Sequence, residues 1–598
     1  MASDPLPYRL TITPSGDPEL DRLLRDASRL AALRESAPVG PFALISRAEL
    51  DLERFDRVLR SLGHYDAAIR IRIGGLALDD PTLLPWLEER PAAPPIGVEV
   101  AITPGPVYRL GLVRLDGPVP DPVRALFDLT PGAPAKARVV LESGETVLRA
   151  LREDGFALAR VAPPDALVDH DTRTLDVIYT AEPGPRLVIG AISIRGLERL
   201  REDAVRRRLG LRPGERYDPR RLEAARRDLL ASGLIAWARF VPGDAPDQWG
   251  RLPMTLELAE RPARAIRFAG EFSSDTGLSL SGSWTHRNLW GGGEQLVIEG
   301  VLGQLDSDRA DRVSYAADIG LRIPDLWTRD LDLNLQLGAF SERLDAYDRE
   351  GTSGGVALER ALGRGLAASA GLAFEASRVT QDGPTEEHRV ISLPATLDYD
   401  GTDDPLDPRR GLRVALQMVP AQDVDDGAAG FWLTRLAGSA YLDLTRPLAS
   451  LSEQRPAMGD TVLAGRLVLG GIAGAEPDEV PANWRFHAGG ASSVRGFPFQ
   501  SIGPRTPSGR PAGGNALFEA SAELRQRLGS RWGAVTFVDS GAVSTDGVPG
   551  SGALAIGVGI GVRYFTPIGP IRADLATPLT ERSGDSPFQL YIGIGQAF

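Results

Sequence analysis

The sequence predicts tandem α+β units, each a βααββ module, followed by a closed antiparallel β-barrel of about 16 strands. Three observations lead there. Up to about Pro262 helical periodicity alternates with short strands, and after it nearly everything has a period of two. Within the first part, marks recur roughly every 80 residues. Within the second, strands set large apolar residues on one face and small or charged residues on the other.

The repeat is visible at three places in each unit. Pro104-Gly105-Pro106-Val107-Tyr108-Arg109-Leu110 leads through Val113-Arg114-Leu115-Asp116 to Gly117, and Pro183-Gly184-Pro185-Arg186-Leu187-Val188-Ile189 leads through Ile192-Ser193-Ile194-Arg195 to Gly196. Each is an alternating strand that ends in glycine. Amphipathic helices then stop at Gly63, Gly155 and Gly233, residues suited to a left-handed helix terminus. A strand follows each stop (Ala67 to Ile71, Ala157 to Val161, Ala236 to Phe240), and a second closes the unit (Val98 to Ile102, Leu175 to Tyr179, Met254 to Leu258). The expected units are 7–93, 94–184 and 185–262.

Residues 263–598 read as the barrel. In the last segment Phe588, Leu590, Ile592, Ile594 and Phe598 face one way, and Gln589, Tyr591, Gly593, Gly595 and Ala597 the other. From Leu554 to Phe565, Ile556, Val558, Ile560 and Val562 oppose Ala555, Gly557, Gly559, Gly561 and Arg563. From Asn515 to Leu528, Glu519, Ser521, Glu523, Arg525 and Arg527 form one unbroken polar row. A soluble sandwich also alternates, but such a row suits a lumen, with lipid on the opposite side. At about 21 residues per strand and connection, this part holds about 16 strands. Trp284, Trp290 and Trp484 are candidates for an interfacial aromatic girdle.

Composition removes other classes. Cysteine is absent, which excludes thiol catalysis, disulfides and cysteine-bound metal centres. The five histidines are scattered without metal-ligand spacing, and the one lysine, Lys136, follows no glycine loop. A net charge of -13 lacks the basic footprint of nucleic-acid binding. No apolar run reaches the 18 or so residues of a spanning helix. Met1-Ala2-Ser3-Asp4-Pro5 shows no signal peptide, as expected of a mature sequence with a start Met added. No catalytic, cofactor or metal site is expected.

Four runs occur in order: Asp400 to Gly411, Val494-Arg495-Gly496-Phe497, Phe537-Val538-Asp539-Ser540-Gly541, and Gly561 to Arg572, with Phe598 at the end. Together they resemble the Omp85 superfamily, and the βααββ units resemble its POTRA domains. Three units before one barrel are most like TamA, the subunit of the translocation and assembly module. Five would suggest the central barrel-assembly protein, and two a two-partner secretion transporter.

The resemblance implies an outer-membrane insertase with periplasmic POTRA-like domains. It implies as partners the lipid bilayer, unfolded or nascent β-barrel clients and a TamB-like inner-membrane-anchored protein, and no nucleic acid. It also implies that the loop carrying Arg495 folds into the barrel, where Arg495 meets Glu523 and Asp539 on the wall. Gly496 and Gly541 would allow close approach, and Val494 and Phe497 would pack there. In a wet lumen these bonds should contribute about 1–3 kcal/mol. A lateral gate is expected where the first strand, with Ile266, Phe268 and Gly270, meets the last, with Ile592, Gly593, Gly595 and Phe598. The alternative is a two-partner-secretion-like transporter that exports polypeptide through the lumen.

Overall fold

The computed structural model describes residues 6–34, 39–91, 93–305, 313–425, 430–445, 460–567, 569–580 and 586–598. Met1 to Pro5 and Ile568, both part of the reading above, lie outside them. The chain divides into two compact units. One comprises Met1–Arg195, Leu211–Arg227 and Arg239–Glu257, and the other Gly196–Gly210, Asp228–Ala238 and Leu258–Phe598.

Each amino-terminal module has one plan: its first strand runs parallel to its last. In the first module Tyr8–Ile12 lies parallel to Ile96–Thr103, and Ala68–Ile73 flanks the latter antiparallel. In the second, Arg109–Asp116 lies parallel to Thr174–Glu182, which also pairs with Arg160–Val161 and Asp165–Asp169. In the third, Val188–Arg195 lies parallel to Arg251–Glu260, with Ile235–Pro242 on the far side. A parallel pair needs a long crossover, and the helices supply it. Pro41–Ser61 buries Leu44, Ala48, Phe55 and Leu59, at helical spacing, with Val98 and Val100 of the sheet. Ala137–Glu153 buries Val140, Val147 and Leu151 with Val177 and Tyr179.

Two expectations are corrected. Ile96–Thr103 is the central strand of the first module, so the boundary expected at 93/94 moves past Thr103. The strand expected from Ala157 to Val161 is only Arg160–Val161, and pairing resumes at Asp165 beyond Pro163-Pro164, which have no N–H to give a ladder. The helix-stopping glycines do adopt left-handed backbone, at φ +93° for Gly63, +92° for Gly155 and +73° for Gly233.

The larger unit contains a closed antiparallel barrel running from Arg264–Ser273 to Gln589–Ile594. Glu386–Ser392 and Ala395–Asp400 both pair with Leu366–Thr380 and with Gly411–Asp423 in one continuous register. They are one strand interrupted at Pro394, so the ring has 16 strands. The Pro394 carbonyl still accepts from Gly371 at 2.9 Å, which keeps the rung.

Polarity is inverted relative to a soluble core. Leu337, Phe374, Ile560 and Leu575 are exposed on the outside, while Glu523, Asp539, Arg563 and Asp574 are buried within. An apolar exterior of this extent suits lipid. Among the described residues no helix is long and apolar enough to cross a membrane.

Gly117 and Gly196 occupy corresponding positions after the first strands of modules two and three, at φ +109° and +94°. A Cβ there would fall 2.0 Å from the Ala181 carbonyl oxygen and 1.9 Å from that of Leu258. Gly117→Ala should therefore cost more than about 1 kcal/mol locally. Hydrogen exchange in the intact chain checks this: protection of the Thr174–Glu182 amides should fall by about tenfold or more.

Candidate functional site

A long connection joins the strands Thr461–Ala473 and Ala516–Leu528, and it folds back into the barrel. Val494 and Phe497 are fully buried, packed with Ile502, Leu517, Val543 and Ala555. Arg495, between them, is 2% exposed. Its Nε donates to Asp539 Oδ2 at 2.7 Å, its Nη2 to Oδ1 at 3.0 Å, and its main-chain N–H to Oδ2 at 3.1 Å. Nη2 also lies 2.7 Å from Glu523, and Nη1 3.4 Å from Asp574. The Phe537 ring centroid lies 3.4 Å from the guanidinium carbon, closing the other side.

Two further arginines balance the charge. Arg525 pairs with Glu523 at 2.8 Å, and Arg563 pairs with Asp574 at 2.5 Å. Three guanidinium groups thus face three carboxylates, all buried, with no net charge. Four consecutive strands supply the wall: Ala516–Leu528, Trp532–Ser544, Ala555–Thr566 and Gly569–Pro578. The alternation places these side chains on the inner face of each strand. Nearby, Arg466 pairs with Glu519 at 3.0 Å, and Ser493 donates to Glu519.

Close approach decides the glycines. Gly496 sits at φ +98°, and a Cβ there would come within 3.0 Å of the Thr577 backbone. A Cβ on Gly541 would lie 2.6 Å from Val494, and one on Gly557 2.0 Å from the Arg495 carbonyl oxygen. The Gly496 N–H donates to the Tyr591 hydroxyl at 3.2 Å, and that hydroxyl donates to the Phe497 carbonyl at 3.3 Å. The loop is therefore tied to the last strand as well as to the wall.

The structure thus brings together Val494, Arg495, Gly496, Phe497, Glu523, Asp539 and Gly541. Sequence reasoning missed Asp574, Arg525, Arg563 and Tyr591 as members of this group. Arg563 and Tyr591 were already on inward rows, and Asp574 falls two residues beyond Arg572 on the same row. The energy expected for a wet lumen is also corrected. Arg495 and its three acids are shut away from solvent, so their pairing is a buried one.

The first and last strands meet over two residue pairs, Phe272↔Ile592 and Ser273↔Tyr591. By contrast, the first strand makes ten pairs with its other neighbour, Gly277–His286, and the last makes six with Gly569–Pro578. Ile266 and Phe268 point outward at 65% and 82% exposure, and Gly270 pairs with Leu280 away from the seam. Gly593 faces the lumen opposite Arg572.

The last strand was expected to reach Phe598, with that ring on the lipid row. It ends at Ile594, and Gly595 at φ +102° turns the chain away. Gln596 accepts from Arg563 at 3.0 Å and donates to Asp407 at 2.9 Å. The Phe598 ring packs on Tyr441, Val462 and Ala464 inside the barrel, with Arg525 5.1 Å from its centroid. These inner partners pull the end inward. Trp484 likewise leaves the girdle: it lies against Phe431, 5.5 Å between ring centroids, in the inner cluster. Trp290 is exposed and Trp284 half-buried. Among the described residues no group of histidine and carboxylate side chains is placed to hold a metal ion.

A 16-strand barrel with an inward-folded, arginine-anchored loop, preceded by βααββ modules, defines a class of modular membrane β-barrel protein. Residues 288–598, more than half of the chain, match the Omp85 superfamily domain, and residues 187–260 match POTRA, the surface antigen variable number repeat. The chain belongs to the Omp85 superfamily. It is 22% identical over 563 residues to the outer membrane protein assembly factor BamA of Neisseria meningitidis serogroup B, covering 84% of this chain and 68% of that one. To BamA of Neorickettsia risticii it is 24% identical over 499 residues, covering 78% of this chain and 62% of that one. In fold it is similar to BamA from Haemophilus ducreyi lacking POTRA domains 1-3, with a TM-score of 0.66 at 18% identity. That match covers 82% of this chain and 99% of the other.

Removing one partner of a buried ion pair costs about 3–5 kcal/mol. Arg495→Ala should therefore release the loop while the strand ladder persists. Hydrogen exchange at residues 494–497 should rise at least about a hundredfold, with the amides of Trp532–Ser544 still protected. A second prediction concerns pH. Burial pushes the His487 imidazole down from 6.5 to about 4. The loop's stability from this group is therefore complete above pH 6.5 and is lost as pH falls through about 4. Exchange across residues 484–490 should accelerate over that window, and His487→Gln should flatten the dependence.

Proposed function

We propose that this chain is an outer-membrane insertase whose barrel opens laterally between its first and last strands. The observation that carries this reading is the seam of two residue pairs beside a neighbour of ten. Arg264 to Glu271 make no ladder pair on the seam side among the described residues. In hydrocarbon an unpaired backbone group costs several kcal/mol, so a strand that pairs there lowers the energy of both partners. Backbone pairing supplies affinity without demanding one client sequence. The work is therefore the templating of β-edges, and no covalent step or cofactor belongs to it.

In this reading the POTRA modules stand in the periplasm, where their sheet edges receive unfolded or nascent β-barrel clients, autotransporters among them. The fold and the family match support the class. The three βααββ modules support the TamA-like form, with a TamB-like inner-membrane-anchored partner. Export through the lumen would first require the loop to abandon its three carboxylates.

The chain's lack of cysteine makes the test clean. Phe272→Cys with Ile592→Cys should form a disulfide across the seam, because directly opposed strand residues approach within about 5 Å. In liposomes carrying the purified chain, the oxidised variant should fail to insert an added autotransporter, and reduction should restore insertion. Insertion that continues with the seam locked would overturn the lateral-opening reading.

A further inference from the structure

The seam has a second fastening besides its two ladder pairs, and it reaches over the last strand. Arg572, on Gly569–Pro578, lies one strand away from the seam, yet its Nη2 is 3.1 Å from Glu271 Oε1 on the first strand. Gly593 is the residue directly opposite Arg572 in the intervening strand. A Cβ at Gly593 would lie 3.5 Å from Arg572 Nε and 3.6 Å from Glu271, so any longer side chain would fill the path of the guanidinium. The glycine in this strand is what lets the ion pair cross. Two bonds, one of them to a side chain, close the other end: the Ser274 N–H donates to the Leu590 carbonyl at 3.0 Å, and the Leu590 N–H to Ser274 Oγ at 3.0 Å.

The pair stands at the edge of water. Glu271 and Arg572 line a cavity of about 520 Å³, together with Asp275, Glu342, Arg349 and Gln500. Arg572 is 92% buried by its own strands (8% exposed), whereas the Glu271 side chain is 50% exposed. Solvent and salt therefore reach one partner, and the attraction is screened where ions enter.

We infer that Glu271 and Arg572 form an electrostatic clasp that sets the balance between closed and open seam. The inference rests on the lateral-opening reading and gives it a named control element. Breaking the pair removes the one side-chain ion pair that bridges the seam among the described residues, and leaves every strand's own ladder intact. Arg572 and Glu271 act here as positioning residues, tying the first strand to Gly569–Pro578 across the last one.

The full chain in liposomes, with Leu280→Cys and Leu575→Cys as outward-facing spin-label sites on either side of the seam, gives the readout. Pulsed electron resonance yields the ratio of long to short inter-label distances. Glu271→Gln and Arg572→Gln should each raise that ratio about threefold, in line with a part-exposed ion pair. Combining Glu271→Arg with Arg572→Glu should bring it back. Molar salt should raise the ratio in the labelled parent and leave Glu271→Gln unmoved, a response that loss of mere packing would not give. Gly593→Leu should behave as Arg572→Gln does. Unchanged distances in either glutamine variant, or salt sensitivity that survives Glu271→Gln, would overturn the clasp. The seam disulfide separates the two ideas: insertion under the lock sinks lateral opening, whereas a lock that blocks insertion beside unmoved distances sinks the clasp alone.

Discussion

One guanidinium holds the inside of this barrel in order. Arg495 lies out of water among Glu523, Asp539 and Asp574, and that arrangement is tolerable only because every lone charge has a partner. The three acids come from three different strands, and Arg525 and Arg563 complete the neutral cluster from two of the same wall. A slip of one residue in any of these strands would turn its charged side chain from the lumen into the lipid. The cluster therefore fixes the register of four neighbouring strands at once, and it forms only after the loop has returned. A charge network this demanding selects one arrangement of the wall, whatever its net contribution to stability.

Around the ring, the pairing thins in one direction from that fixed wall. Ala516–Leu528 makes thirteen pairs with Trp532–Ser544, which makes ten with Ala555–Thr566, which in turn makes ten with Gly569–Pro578. The last strand then has six, and the seam two. Each rung removed is one fewer hydrogen-bonded unit to break, so the seam is where the cylinder yields first. The first strand, by its ten pairs, belongs mechanically to the strand after it. In the proposed lateral opening, the ring would part beside Gln589–Ile594 and leave the arginine cluster undisturbed.

The alternation of residues made the barrel wall legible in the sequence, because burial in a strand has a period of two and the polar rows were long. Glycine spacing gave the modules, since a helix stop at Gly63, Gly155 and Gly233 is a local backbone requirement. Glu523 and Asp539 could be proposed for Arg495 from family resemblance, with Glu523 also on an inward row. Asp574 could not, because its meeting with Arg495 depends on strand order and shear, neither of which is local. The same holds for the end of the chain. Phe598 reads as one more outward apolar residue, and only the three-dimensional placement of Tyr441, Val462 and Arg525 gives it an inner berth. The first module's boundary at 93/94 cut off a strand that the repeat itself assigns to that unit: Val98 to Ile102 reads as its closing strand, and the closing strand of a βααββ unit is its central one.

The strand Gly569–Pro578 links the two halves of the lumen. Arg572 and Asp574 project from the same inner face two residues apart, one toward the first strand and the other toward the loop cation. Tyr591, one strand on, holds the loop backbone through Gly496 and Phe497. The loop thus braces the last strand from within, and in the proposed opening this strand would keep its place as the first one leaves. A seam that opens for a client needs one stationary edge and one movable edge. Under the lateral-opening proposal the stationary edge would be the one bound to the arginine cluster, and the movable edge the one held by two ladder pairs, the Ser274 contacts and a half-solvated carboxylate.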